Sequence, residues 1–505
     1  ALFLAIKPNI DMTLGLDYFA KLGTGVSDEL RYLFRNTSGS ARFYYFKYRQ
    51  NNGVYDASAS DYYVEADHKQ TLPFLNSRLL LNVNRQSRPG FLRLFDNGFD
   101  RNLTTNFQSS LAWTSSFSNI NISLSTSRRE TYYIFANSSR IVEYLPALSF
   151  NLNQQKLDKL PGYFSLGFDY QSVRRSGVTY EDEPVFANDF RSQRLTLTPA
   201  YQLPLLKLPW LNCSLNLLAK NTLYAKSLDP VSKKIVNKPL YMKYQTAKLS
   251  LQGPIFFRVY GQGRNKLKHV IEPEFEFRYA TKVKNRNRLV PVDYFDYPSY
   301  SYAGFSLTSR LLTKGDDSKA SASEWLTYRI TQEYYFDPAE ANLFRKVDGE
   351  YPSFSELNNT LRFRPGKNYV FDASVVYNYY IHDLTRLNLR ASYQRQGAPL
   401  TGSLNYSTYR NPYKGADYVF NRSLLGGDIN MDFPNFPLKL RAGIDYDFTA
   451  KEFRYGSINA SFDYQCLVFS TEFKIFSYLG RSEFQFRFGL SLGNLGMVSD
   501  FFGDK

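Results

Sequence analysis

Phe164-Ser165-Leu166-Gly167-Phe168-Asp169-Tyr170-Gln171 puts every large apolar side chain at an even position and every small or polar one at an odd position. Successive side chains of a β-strand point to opposite faces, so this stretch reads as a strand with one apolar and one polar face. The same period of two recurs along the chain. Ile120, Ile122 and Leu124 alternate with Asn121, Ser123 and Ser125. Phe371, Ala373, Val375, Tyr377 and Tyr379 oppose Asp372, Ser374 and Asn378. Phe484, Phe486, Phe488, Leu490 and Leu492 oppose Gln485, Arg487, Gly489 and Ser491. Alternation alone suits a soluble sandwich as well as a membrane barrel. Length separates them: the patterns often run about 9–12 residues, as a tilted spanning strand must, against roughly 5–6 in soluble sheets.

Composition agrees. Aromatic residues make up 17% of the chain, with 41 Tyr and 42 Phe against 3 Trp, yet mean hydropathy is −0.40. Strands apolar on one face only, with aromatic girdles at two membrane interfaces, reconcile those values. No run approaches the ~18 apolar residues of a spanning helix; Leu2–Ile6 and Leu79–Leu81 are far too short, which excludes a helical inner-membrane protein. Long polar connections fall at Tyr224–Tyr244, Tyr279–Tyr302, Thr313–Glu324, Asp337–Ser355 and Tyr409–Ser423. With about 20 residues per strand and connector, and even strand counts in bacterial barrels, the expectation is an all-β fold. It is a large transmembrane antiparallel β-barrel of about 24–26 strands. No domain boundary interrupts residues 1–505, which read as one outer-membrane β-barrel domain. The chain opens Ala1-Leu2-Phe3 without Met or a basic segment, so an export signal is expected to have been removed.

The net charge of +16 is scattered, and clusters such as Lys233-Lys234 and Lys282–Arg288 sit in loop-like segments. A basic lumen or rim facing saccharide phosphate or anionic lipid explains this better than nucleic acid, for which no site is expected. Cys213 and Cys466 permit one bridge at most, or a link to another chain. His68, His269 and His382 are isolated from one another and from both cysteines, so neither a metal site nor a cofactor is expected. No serine stands in a recognisable nucleophile context, and the chain is not read as an enzyme.

Several ordered segments resemble the barrel of the LptD family of lipopolysaccharide-assembly proteins. The opening Ala5-Ile6-Lys7-Pro8-Asn9-Ile10-Asp11-Met12-Thr13-Leu14, then Asp17-Tyr18-Phe19, Leu22-Gly23 and Glu29-Leu30-Arg31-Tyr32, resembles the start of that barrel. His269-Val270-Ile271-Glu272-Pro273 is similar to its His-x-x-x-Pro segment, and Val290-Pro291-Val292-Asp293 with Phe295-Asp296 to the loop that follows. Ser306–Leu311 and Glu333–Asp337 resemble later strands, and Cys466 with Gly489–Gly496 resembles the end. The resemblance covers the barrel part of the family only, without its N-terminal periplasmic domain.

Leu2, Leu4, Ile6, Pro8, Ile10, Met12, Leu14, Leu16 and Tyr18 share one parity, which places Pro8 inside a strand, where its missing N–H removes a ladder rung. The resemblance implies that this weak rung belongs to a lateral gate between first and last strands, lined by Pro8, Ile10, Met12, Leu14, Phe486, Phe488 and Leu490. A strand-edge proline without a gating role is the alternative. Cys466 sits at a change of phase, between Ile458–Tyr464 on even parity and Leu467–Phe473 on odd, which signals a turn or bulge. The resemblance implies an interdomain disulfide there, although Cys466-Leu467 replaces the family's adjacent cysteine pair; a free buried thiol is the other reading. Cys213 is read as structural. His269 and Pro273, just ahead of a strand at Phe275–Tyr279, are implied to anchor loops, against the ordinary reading of a solvated or strand-packed histidine.

The function that follows is translocation of lipopolysaccharide and its insertion into the outer leaflet of the bacterial cell outer membrane. The implied partners are an LptE-like lipoprotein plug in the lumen and a periplasmic lipopolysaccharide-bridge protein reached through the N-terminal domain. A solute or nutrient transporter of the porin or plugged-receptor class is the alternative, and a barrel that only anchors another assembly is a third.

Overall fold

The structure, a computed structural model, describes residues 2–492 apart from 21–22, 50–59, 88–90, 92–105, 134–137, 178–188, 233, 262–265, 291–298, 315–321, 342–349, 396–398, 411–420, 434–435, 465–466 and 479–480. Among these residues the strands assemble into one 26-stranded sheet and a separate two-stranded ribbon, Ser227–Leu228 with Ile235–Val236. The count meets the upper value expected from chain length. The described pairings are antiparallel and mostly join a strand to its chain neighbour, as in Ile120–Tyr133 with Ser138–Lys156 and Tyr163–Gly177 with Phe190–Leu208, while Leu240–Gln252 also pairs with Leu267–Ala280. Of the five long polar connections, Tyr224–Tyr244 contains the two-stranded ribbon and runs into strand Leu240–Gln252. The other four bridge successive strands, and all but Asp337–Ser355 overlap the strand ends by one or two residues.

Contacts divide the chain into two units. The first comprises Ala1–Leu203, Asn216–Thr246 and Lys282–Tyr297; the second comprises Pro204–Leu215, Ala247–Thr281 and Pro298–Lys505. In the first, parity sorts the faces as the sequence predicts. Leu16, Val26, Phe43 and Leu124 are exposed on the apolar side. On the polar side of strands Gly23–Phe34, Thr37–Tyr48 and Ser60–Leu72, Phe46, Tyr63 and Phe91 form a small buried cluster with Tyr44 and Tyr48 packed on it. Gly25 stands opposite Phe46, and a Cβ there would come within 2.4 Å of the Tyr44 hydroxyl. A side chain at this position would push both rings out.

In the second unit, strand Leu267–Ala280 carries a proline in its interior. Pro273 pairs with Leu307 on one side, and on the other its carbonyl accepts the Gly253 N–H at 2.8 Å. The neighbouring strand is interrupted there, between Gln252 and Phe256. A position without a donor is tolerated at a break in the adjoining ladder. Gly253 has φ +112, and a Cβ would fall 2.3 Å from the Trp210 carbonyl oxygen, so only glycine fits the break.

Candidate functional site

The first segment is a hairpin, which corrects the reading of Pro8. Strand Leu2–Lys7 pairs with strand Ile10–Phe19, and Pro8-Asn9 is the turn between them. Leu2 stands opposite Leu14 and Leu4 opposite Met12, while the register shifts between Ala5 and Lys7, where Lys7 meets Ile10. That bulge explains the error. A two-residue turn alone would pair odd with even positions, and the extra residue restores even with even, so parity runs unbroken through a reversal of the chain. Pro8 therefore removes no rung from a continuous strand.

Strand Ile10–Phe19 is tied on its other side to Gly23–Phe34 in unbroken register from Ile10–Tyr32 to Phe19–Gly23. Its polar face is cross-linked by charge. Asp11 lies opposite Arg31, 2.8 Å from its Nε; Arg42 lies opposite both Glu29 and Glu65, at 3.4 and 3.6 Å. Asp67 accepts from Asn82 directly across the next pair of strands at 2.8 Å. On the apolar face Asp28 stands between Leu14 and Phe43, with its Oδ1 buried and unpartnered.

The last segment is also a hairpin. Strand Leu467–Tyr478 pairs with Arg481–Leu492, bringing Phe486 opposite Phe473, Phe488 opposite Thr471 and Leu490 opposite Phe469. Phe484 and Phe486 are 75% and 66% exposed on the last strand. Strand Glu452–Tyr464 reaches the same hairpin through the Tyr464–Leu467 pair, so the phase change is a turn; Cys466 itself lies outside the described residues. Outside them too fall Pro291–Asp296 and residues 493–496. Cys213 is a free thiol, part-buried.

His269 and Pro273 lie within strand Leu267–Ala280 rather than ahead of it, because the strand begins eight residues before Phe275. His269 Nε2 is 2.8 Å from Ser309 Oγ on the adjoining strand Tyr302–Thr313. The polar face of the same strand presents Glu272, Glu274 and Glu276 in a row. Arg310 reaches Glu272 at 3.0 Å, Arg329 reaches Glu274 at 3.0 Å, and Lys248 with the Tyr302 hydroxyl meets Glu276. Arg362–Asp372 at 2.6 Å and Lys439–Asp463 at 2.8 Å continue this pattern towards the C-terminus. These cations were not singled out from sequence. Parity could have placed each on the polar side, but only the register shows which carboxylate each one meets.

Among the described residues of the first unit, a turn and the two-stranded ribbon pack together. The turn at Arg286–Arg288 reaches the ribbon through Arg288 Nη2, 3.3 Å from Ser227 Oγ. Ser227, Leu228 and Val290 are almost wholly buried, so this polar loop is packed down rather than splayed.

The family profile of LptD, described as LPS transport system D, matches residues 59–435, well over half of the chain. The chain belongs to the LptD family. This LptD chain is accordingly a β-barrel of the bacterial outer membrane, from a family whose task is transport of lipopolysaccharide rather than catalysis. No curated protein matches it. Solved structures similar to this LptD barrel include the FrpB iron transporter from Neisseria meningitidis, at 8% identity and TM-score 0.37, covering 87% of this chain and 77% of that one. The alcaligin outer-membrane receptor FauA from Bordetella pertussis shares 9% identity at TM-score 0.37, covering 96% and 81%. The ferric enterobactin receptor PfeA from Pseudomonas aeruginosa, as a mutant, shares 10% at TM-score 0.33, covering 92% and 74%.

Proposed function

We propose that this chain inserts lipopolysaccharide into the outer leaflet through a lateral seam between its first and last strands, residues 1–505 acting as one barrel domain. The observation that carries the reading is the family match over residues 59–435. The chemistry of the two faces supports it. Acyl chains need an apolar exit, and Phe484, Phe486 and Phe488 with Ile10, Met12 and Leu14 supply apolar edges on the two terminal hairpins. The phosphorylated saccharide needs a hydrated polar path, and the polar faces that carry Arg31 and Arg42 in the first unit and Arg310 and Arg329 in the second are suited to anionic groups.

Pro8, at the tip of the first hairpin, belongs to the gate as the residue that fixes where that hairpin turns. His269 and Pro273 hold the strand from which the loop at 281–301 emerges. The lumen takes an LptE-like lipoprotein, a periplasmic bridge protein delivers the lipid through the N-terminal domain, and Cys466 is the candidate for a disulfide to that domain. A photo-reactive residue placed in turn along Ile10–Tyr18 and Phe484–Leu492, in the complete protein with its partners, tests the seam. Lipopolysaccharide adducts there, above the level at Phe164–Tyr170, support the gate. Equal labelling at all positions, or none with the protein folded, removes it and leaves the solute-transporter reading.

A further inference from the structure

The apolar face of the second unit carries a groove that the transport reading does not account for. Along two adjacent rows of cross-strand neighbours, large and small residues alternate. One row runs Leu404–Gly427–Ile444–Gly456–Ile475, and the other sets Gly402 beside Ile429, Ala442 and Ile458. The missing side chains leave a depression of about 820 Å³ on an otherwise bulky surface. It extends from Tyr369 to Ile475 across seven strands. At ~4.8 Å between strands that is about 29 Å, nearly twice the ~15 Å half-thickness of a bilayer's hydrocarbon core.

Direction and end point say what fills it. The rows follow the cross-strand direction, and barrel strands tilt by ~35–45° from the axis. The groove therefore runs oblique to the membrane normal, along which ordinary annular chains lie. Both rows continue onto the last strand, since Ile475 stands opposite Phe484 and Phe473 opposite Phe486. A hydrocarbon chain leaving that strand sideways meets the groove immediately. We propose that this groove is a track that holds an acyl chain of lipopolysaccharide as it departs from the last strand, an inference that rests on the transport reading above. Gly427 and Gly456 act by keeping the floor low: a Cβ at Gly456 would lie 2.9 Å from Ile475 Cγ2, and one at Gly427 3.3 Å from Leu404 Cδ1.

The experiment places a photo-reactive residue at Ile429 or Ile458 in the groove, at Phe484 or Phe486 on the edge, and at Leu124 or Leu197 as membrane-facing controls. The full-length protein is used, in cells actively exporting lipopolysaccharide. Expected are lipopolysaccharide adducts at Ile429 and Ile458 several-fold above the controls. Filling the groove with Ala442→Phe lowers them several-fold, while the folded yield and the Phe486 adducts persist. Adducts at the edge with groove positions at control level overturn the track and leave the seam standing. Control-level labelling at edge and groove alike, in folded protein, overturns both. Phospholipid adducts replacing lipopolysaccharide in the groove also overturn the track.

Discussion

Asp11 and Arg31 face each other across the first long strand pair, Oδ1 to Nε at 2.8 Å. The contact adds to the unbroken ladder that binds strand Ile10–Phe19 to the strand behind it, and the ladder leaves opening of the first hairpin to its other side. Both side chains are part-exposed, and such a pair contributes under about 1 kcal/mol to stability. Arg31→Ala and Asp11→Asn should therefore leave folded yield unchanged, as read by heat-modifiable electrophoretic mobility. They should raise sensitivity to large antibiotics by loosening the hairpin, and exchanging the two charges should restore resistance. Sensitivity unaffected by either single change would show that the pair does not steady the hairpin.

The bulged hairpin at Pro8 makes a distance prediction. Leu4 and Met12 are direct neighbours, whereas a continuous strand would hold them eight residues, or about 27 Å, apart. Cysteines at Leu4 and Met12 should bridge on mild oxidation, and cysteines at Leu4 and Leu16 should not. Mobility on non-reducing gels after cleavage between the two positions reads the result. Pro8→Ala, in the turn, should shift stability by no more than the ~0.4–1 kcal/mol typical of proline's effect on the unfolded chain.

Alternation carried most of the fold. Phe164, Leu166, Phe168 and Tyr170 in Tyr163–Gly177, and Phe371, Ala373, Val375 and Tyr377 in Tyr369–Asn378, share one face as the alternation predicts, while Val173 and Val376 are buried on the opposite parity. Chain direction was less legible. Leu2 to Tyr18 kept one parity through a turn, since the bulge before Lys7 cancels the phase change that a two-residue turn would introduce. The polar face was visible as a pattern, but partners such as Arg329 with Glu274 depend on register between strands distant in sequence. The groove at Gly427 and Gly456 was hidden for the same reason. Each glycine reads as a gap in one strand, and only neighbouring strands align the gaps.

Asp28 is an acidic residue on the apolar face of the first unit, set between Leu14 and Phe43 with an unpartnered buried oxygen. A carboxylate facing hydrocarbon is destabilising. Asp28→Leu should stabilise the barrel, by less than the ~2–4 kcal/mol that a Lys or Arg costs at the midplane. Urea unfolding in lipid vesicles measures it. Destabilisation would mean that Asp28 has a partner in the membrane that the isolated chain lacks.

In the ribbon at Ser227–Val236 one carboxylate braces the turn beside the Asp229 N–H to Lys234 carbonyl bond, and this makes the turn sensitive to acid. Asp229 Oδ1 accepts the Ser232 N–H at 2.8 Å, the Val231 N–H at 3.0 Å and the Ser232 hydroxyl at 3.1 Å. These bonds, that from the Ser232 N–H foremost, hold the Asp229 carboxyl below its ordinary value because they favour the charged form. With a folded pKa depressed below the unfolded one, the stabilisation is fully present above the usual carboxylate range and disappears as pH falls through the lowered value. Amide hydrogen exchange at Val231 and Ser232 should stay slow from neutral pH down through the ordinary aspartate range, then accelerate, relative to the intrinsic rate, only in stronger acid. Asp229→Ala should exchange fast at every pH, whereas Asp229→Asn should keep partial protection without the acid transition. A wild-type transition at or above the ordinary aspartate pKa would show that the three bonds do not hold the turn in solution.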